Sequence, residues 1–425
     1  MNPSRPSTLL SILACALLAP AALAQEEGKY PPPKPPELKW EDLLSGKLED
    51  HWADMNCAIH SPTFALKADP DNPKGNLLAL TRRPTGLIRS QKHYENFILE
   101  CDWRHLTSAP TASGTKDTTG NSGLYVWADP LPTVGGNFTR AIEVQVCNLG
   151  NAKWYTSHGD LFPIWGATMT PDPRFGVSGS RSMPAEFRAK KTGEWNYIRI
   201  TCVDGTIQQE MNGAVVSAGF RASPKKGYLC IESEGGPVEY RNMRIHELPG
   251  DPKLAKADMA VELPEGTKTT CLYNGVDLEG WKVAEGQKEE WTASDHVLRC
   301  AGKTKGEGLE MKLPLQADGG KTFTLHVDWK GPALTDLVDL GGYGKPTDEL
   351  LAKISNPVKE NDWNRTTLAY DSAKKSVTWS INGVAFHTSF YGAANDATIP
   401  TLRLRNPGHP VSFSNIILIQ APEKK

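Results

Sequence analysis

Charge of one sign is missing from this chain: 47 Lys and Arg stand against 49 Asp and Glu, a formal charge of −2 over 425 residues. Such a balance supplies no basic field for nucleic acid or an anionic membrane surface. Long amphipathic helical patterns are nearly absent, and past the first 24 residues no apolar run is long enough to span a bilayer. No C-x-x-C and no cluster of histidines appears, so the usual zinc spacings are excluded. A Ser-His-Asp order, a phosphate-binding loop and a dinucleotide fingerprint are also missing.

What is present begins at the amino terminus. Arg5 precedes an apolar run from Leu9 to Leu23 that ends in Ala22-Leu23-Ala24, the form of a secretory signal cleaved after Ala24. Lipoprotein processing at Cys15 is the alternative, with Leu13 a poor fit to it. The expected mature protein is exported, periplasmic or extracellular, with no membrane span after cleavage. Residues 25–37 form a proline-rich spacer. Seven cysteines remain, an odd number; Cys271 and Cys300 are close enough in sequence to pair, and free thiols buried on strands are the other reading.

The chain repeats itself. Residues 45–52 are echoed by 274–281, 97–103 by 323–329, Trp195-Asn196 by Trp363-Asn364, Asn212-Gly213 by Asn382-Gly383, and 237–242 by 410–415. The first copy carries about sixty extra residues between Trp103 and Trp195. What the copies share reads as scaffold; what the first alone owns is where chemistry is sought. The predicted domains are 38–248 and 268–420, joined by a polar linker at 249–267.

Short β-branched and aromatic segments such as 96–103, 121–127, 141–146, 196–202 and 376–381 alternate and are punctuated by Asp204-Gly205, Asn212-Gly213 and Asn382-Gly383. This pattern, with 38 glycines, predicts an all-β protein built as two tandem jelly-roll sandwiches.

Asn274-Gly-Val-Asp-Leu-Glu-Gly-Trp281, Asn121-Ser-Gly-Leu-Tyr125, Glu143-Val-Gln145, Gly193-Glu-Trp-Asn196 and the stretch Ile231 to Asn242 resemble the concanavalin-A-like 3-keto-disaccharide hydrolase family. Its members are also described as 3-keto-glucoside 1,2-lyase and 3-keto-2-hydroxyglucal hydratase domains. The second copy lacks the N-S-G and E-V-Q segments. The resemblance implies an oligosaccharide or glycoside substrate oxidised at C3, and cleavage by elimination across C1 and C2 followed by hydration. That chemistry needs a general base near C2, an acid for the leaving oxygen and a positive or hydrogen-bonding group at the C3 oxygen. One divalent metal ion would meet the last need.

On residues 141–146 alternation puts Ile142, Val144 and Val146 on one face and Glu143 with Gln145 on the other. Glu143 and Glu234 are the expected catalytic acid and base. Asn121, Tyr125, Gln145, Trp127 and Trp165 are expected to bind the sugar, and His158, Asp160 and Glu232 are candidate metal ligands. Trp154, Tyr155, Arg174 and Arg181 are further candidates. The alternative reading is a lectin-like protein whose two modules bind glycan without cleaving it.

Overall fold

In the computed structural model the described residues are 38–106, 120–147, 158–315, 322–332, 337–341, 358–390 and 400–422. The expected signal and spacer, Trp154 and Tyr155 lie outside them. Strands dominate, helices are reduced to single turns, and every strand pairing is antiparallel. The Asn212-Gly213 and Asn382-Gly383 turns have positive φ at both residues, as a tight hairpin with right-handed strand twist requires.

Strands between Glu41 and Leu248 build a nine-stranded and an eight-stranded sheet; strands between Lys268 and Gln420 build an eight-stranded and a four-stranded one. Each pair of sheets encloses its own apolar core, centred on Trp52, Trp103 and Trp127 in the first and on Trp329 and Trp379 in the second. The result is two jelly-roll sandwiches within one compact unit, Trp40–Lys425. No helix among the described residues is long and apolar enough to cross a membrane.

The internal repeat extends to strand order. In the larger sheet of the first sandwich Val238–Leu248, Asn96–His105, Asn196–Val203, Thr206–Met211 and Ala214–Ser223 lie side by side. Val411–Gln420, Phe323–Lys330, Trp363–Asp371, Ser376–Ile381 and Val384–Phe390 do the same in the second. In the smaller sheets Gly86–Tyr94, Gly227–Ser233 and Asn121–Ala128 correspond to Gly306–Lys312, Thr401–Asn406 and Val338–Leu340. The first sandwich then continues with Ala141–Cys147, Leu161–Ile164, Arg181–Met183 and Gly176–Ser178, where the second has no described strand.

Hydrogen bonds repeat as well. Trp52 donates its indole N–H to the Leu43 carbonyl at 2.9 Å, and Trp281 donates to Leu272 at 3.0 Å. Asn212 donates to Asn196 Oδ1 at 3.0 Å while its own Oδ1 accepts the Tyr197 N–H; Asn382 donates to Asn364 at 2.9 Å and accepts from the Arg365 N–H. Each asparagine pair closes a hairpin end by satisfying backbone groups that the ladder leaves open.

All seven cysteines are free thiols, so the Cys271–Cys300 pairing does not form. Cys271 instead directs its thiol at the Met55 carbonyl, 3.8 Å away across the junction between sandwiches. Six of the seven are buried, and packing rather than cross-linking explains them.

Replacing Asn196 or Asn364 by alanine unplugs a buried network in one sandwich. Each change is expected to cost about 2–4 kcal/mol in urea denaturation, and an effect below a few tenths would mean the pairs are surface ornaments.

Candidate active site

The Ala141–Cys147 strand runs between Asn121–Ala128 and Leu161–Ile164. Ile142, Val144 and Val146 enter the core between the sheets. Glu143 and Gln145 therefore point to the sheet's other face, with Tyr125 opposite Glu143 and Gly123 opposite Gln145. Glu232 reaches the same face from the next strand, Gly227–Ser233, and Glu234 follows just past its end.

Gly123 makes room for this gathering. A Cβ there would stand 2.8 Å from Glu232 Oε2, 2.9 Å from Glu143 Oε1 and 2.9 Å from Tyr125 Cε1. Two carboxylates thus bracket one point on the sheet. Tyr125 donates its hydroxyl to Glu232 Oε1 at 3.1 Å, while Glu232 Oε2 is buried without a hydrogen-bond partner. Gln145 donates to Asn121 Oδ1, and Asn121 donates in turn to Glu234 Oε2, a relay that orients Glu234. Arg181 pairs with Asp160 and lies over the Phe162 ring, 4.4 Å from its centroid; Phe162 is the cross-strand partner of Glu143.

Burial and mutual repulsion govern the protons. Burial first, then Glu234 and Asp160, push the Glu143 carboxyl up to about 8, against a downward pull from Arg181. Glu232 is raised well above the carboxylate range by burial, then by Glu234 and Glu143. Glu234 is raised by burial and drawn back by the Asn121 bond. At neutral pH Glu143 keeps its proton, a donor and a latent base, and its two neighbours are biased in the same direction.

Four of the expected site residues are placed otherwise. Trp127 is wholly buried in the core, donating to the Glu95 carbonyl at 2.8 Å and meeting Phe97 edge-on, so its ring cannot stack on a sugar. Its φ of 55° turns the strand and breaks the alternation that would have placed it with Tyr125. Tyr125 and Gln145 are buried too, and hold carboxyl and amide partners rather than face solvent. His158 is fully buried, accepts the Arg188 N–H on Nε2 at 2.8 Å and packs edge-on against Phe187, with its imidazolium disfavoured to about 4 by burial. Asn121 does sit in the cluster. Trp165 stands on a turn between Leu161–Ile164 and Thr168–Pro171, 55% exposed. Arg174 is spent on Asp172 at 2.5 Å. Phe162 was missed, although Leu161-Phe-Pro-Ile164 lies within the segment private to the first copy.

No group of three His, Cys, Asp or Glu side chains among the described residues is arranged to hold a metal ion. His158 Nε2 is already engaged and Asp160 is ion-paired, so the expected ligand set does not assemble as a metal centre.

Residues 39–246 match the family described as the 3-keto-alpha-glucoside-1,2-lyase-like domain. The first sandwich is a domain of that family. No curated protein matches the sequence. Among solved structures, a candidate glycosyl hydrolase from Parabacteroides distasonis is similar at 19% identity and TM-score 0.34, over 49% of this chain and 94% of its own. The carbohydrate-binding module CBM66 from Bacillus subtilis aligns at 10% identity and TM-score 0.30, over 44% and 98%. A β-glucanase from Bacillus licheniformis aligns at 12% and 0.30, over 50% and 98%. The lyase-like domain contains every strand of the carboxylate cluster. The family match thus ties the first sandwich to carbohydrate chemistry.

The lyase-like domain holds its carboxyls at a cost that pH reveals. Unfolded, Glu143 ionises near 4.5; folded, it keeps its proton to about 8. Stability present at acid pH is therefore lost as pH rises from 4.5 through about 8. Glu143→Gln is expected to raise Tm at pH 8.5 and leave it nearly unchanged at pH 4.5, as scanning calorimetry at the two pH values would read. An equal effect at both would show that the carboxyl titrates normally.

Proposed function

We propose that the first sandwich cleaves 3-keto-glycosides by elimination followed by hydration, and that the protein does so after export. The observation that carries this is the convergence of Glu143 and Glu232 on Gly123, with Glu234 beside them and the group biased toward retaining protons. Two carboxyls that differ in proton affinity on one face can divide acid and base roles.

The C3 carbonyl of such a substrate acidifies the C2 proton, and the C1 substituent is β to that carbonyl. Glu143, half-buried, takes the C2 proton in its ionised form. The C2–H electron pair forms the enolate, and the C1–O bond breaks as the enone forms. Glu234, aligned by the Gln145–Asn121 relay, donates its proton to the departing oxygen. Water then adds across the enone: its oxygen bonds to C1 as its proton passes to the Glu234 carboxylate, and C2 regains the proton held by Glu143. Burial, Glu234 and Asp160 keep Glu143 from ionising early and so make it a stronger base once ionised. Arg181 is the positive group that could draw near the C3 oxygen. The exposed indole of Trp165 offers a face to the leaving group.

Incubating the mature protein with 3-keto-glucosides and following products by mass spectrometry tests the reading. Wild type is expected to release aglycone, Glu143→Gln to lose about 10³-fold or more in kcat, and kcat/KM to rise with pH toward a limb near 8. Turnover that survives EDTA assigns the C3 oxygen to the protein's own donors; turnover lost in EDTA and restored by a divalent cation puts a metal there. Sugar binding without turnover, in wild type and Glu143→Gln alike, would make this a glycan-binding protein instead.

Gly123→Ala inserts a methyl among the carboxyls. It is expected to abolish measurable turnover while Tm falls by only a few degrees, about the cost of one crowded site. Wild-type turnover in that variant would remove the cluster from the reaction.

A further inference from the structure

The loop 129–140 joins the two strands that carry Gly123, Tyr125, Glu143 and Gln145. Its base is closed within the first sandwich. Arg140 makes a two-pronged ion pair with Asp129 at 2.9 and 3.0 Å, and the Asp129 N–H donates to the Arg140 carbonyl. Its tip is held by the second sandwich. Asp328, fully buried, accepts the Gly135 N–H at 2.8 Å, the Arg365 guanidinium at 2.6 and 2.8 Å, and the Asn415 amide at 2.8 Å. Arg365 also donates to the Pro132 carbonyl at 3.0 Å, and Asn415 to the carbonyls of Gly136 at 3.0 Å and Thr133 at 3.3 Å. Gly135 has φ 68°, and a Cβ on it would run into the Trp363 ring.

This node uses the shared scaffold in a new way. By the repeat, Asp328 and Asn415 stand where the first sandwich has Asp102 and Asn242. There the pair is bonded to each other at 2.8 Å and Asp102 faces Arg241, all on the outer sheet face. In the second sandwich the same positions are turned to reading backbone groups of the first. The apolar residues next to the carboxylates, Met55, Leu87, Ala128, Ala141, Tyr228 and Cys230, form a buried cluster on the same sheet face, with Phe138 of the loop packed against it. Lifting the loop would uncover that cluster and admit water beside Glu143.

We infer that the second sandwich is part of the active-site scaffold: the Asp328–Arg365–Asn415 node clamps the 129–140 loop and through it fixes Glu143. Asp328 and Asn415 are thus positioning residues. Their effect on turnover rests on the reaction proposed above, whereas their effect on Glu143 itself does not.

The test uses the full chain, two node variants, a control and an assignment variant. Asn415→Gly removes the amide while tolerating the backbone, which has φ 44° at this position. Asp328→Asn weakens the node but leaves a side chain of the same shape. Glu310→Gln is the control, breaking a 2.6 Å bond to Arg403 elsewhere in the second sandwich. Glu143 is followed by carboxyl carbon NMR, with Glu143→Gln giving the assignment, and kcat and KM are measured on a 3-keto-glucoside. Both node variants are expected to lower the Glu143 midpoint by about one unit or more toward 4.5, and to cut kcat about 10- to 100-fold with KM changed less than about threefold. The control is expected to lower Tm without moving the midpoint. A midpoint unmoved in folded Asn415→Gly, or moved equally by the control, overturns the inference. Absence of turnover in wild type would sink the proposed reaction, and the NMR midpoint would still decide the clamp.

Discussion

Keeping ionisable carboxyls together out of water is unfavourable, and most of what surrounds Glu143, Glu232 and Glu234 can be understood as opposing that tendency. Their strands are anchored by the opposite face, where Leu124, Val126, Ile142, Val144 and Ile231 are lost to solvent in the core. Each fully buried side chain of that size is worth about 1.5–3 kcal/mol. The other face is thereby free to carry, beside its own small apolar cluster, groups that would never assemble alone. Gly123 removes the one side chain that would separate them, and Tyr125, Asn121 and Gln145 supply hydrogen bonds that choose their orientations.

The same logic explains the asymmetry of the two halves. The larger sheets, with their asparagine pairs and tryptophan–carbonyl bonds, are alike because they do the same mechanical work. The smaller sheets differ by the strands that hold Glu143, Phe162 and Arg181. The second sandwich carries none of these among its described strands, yet its outer face meets the first at the loop that leads into the Glu143 strand.

Much of this was legible in residue order. Val and Ile alternating with Glu143 and Gln145 told which face each would take, since side-chain period is a local property of an extended chain. The Asn-Gly pairs named their hairpins for the same reason. Trp127 was misjudged because a single residue of positive φ resets the alternation, and tryptophan gives no warning of it. His158 looked like a ligand because sequence cannot show that a backbone N–H thirty residues on would claim its ring. The Asp328 node was invisible for a stronger reason: its partner in the loop, Gly135, is almost two hundred residues away, and nothing in an Asp-Trp pair distinguishes a carboxylate that meets solvent from one that meets a loop.

Gly135 and Trp363 leave each other no slack. A bulkier residue at the loop tip can be inherited only alongside a smaller one at 363, and a change at Arg365 or Asn415 only alongside a reshaped loop. Across descendants of this chain, the loop of one half and the sheet face of the other should therefore drift as a single evolutionary character, although the two segments are separated by more than half the length of the protein.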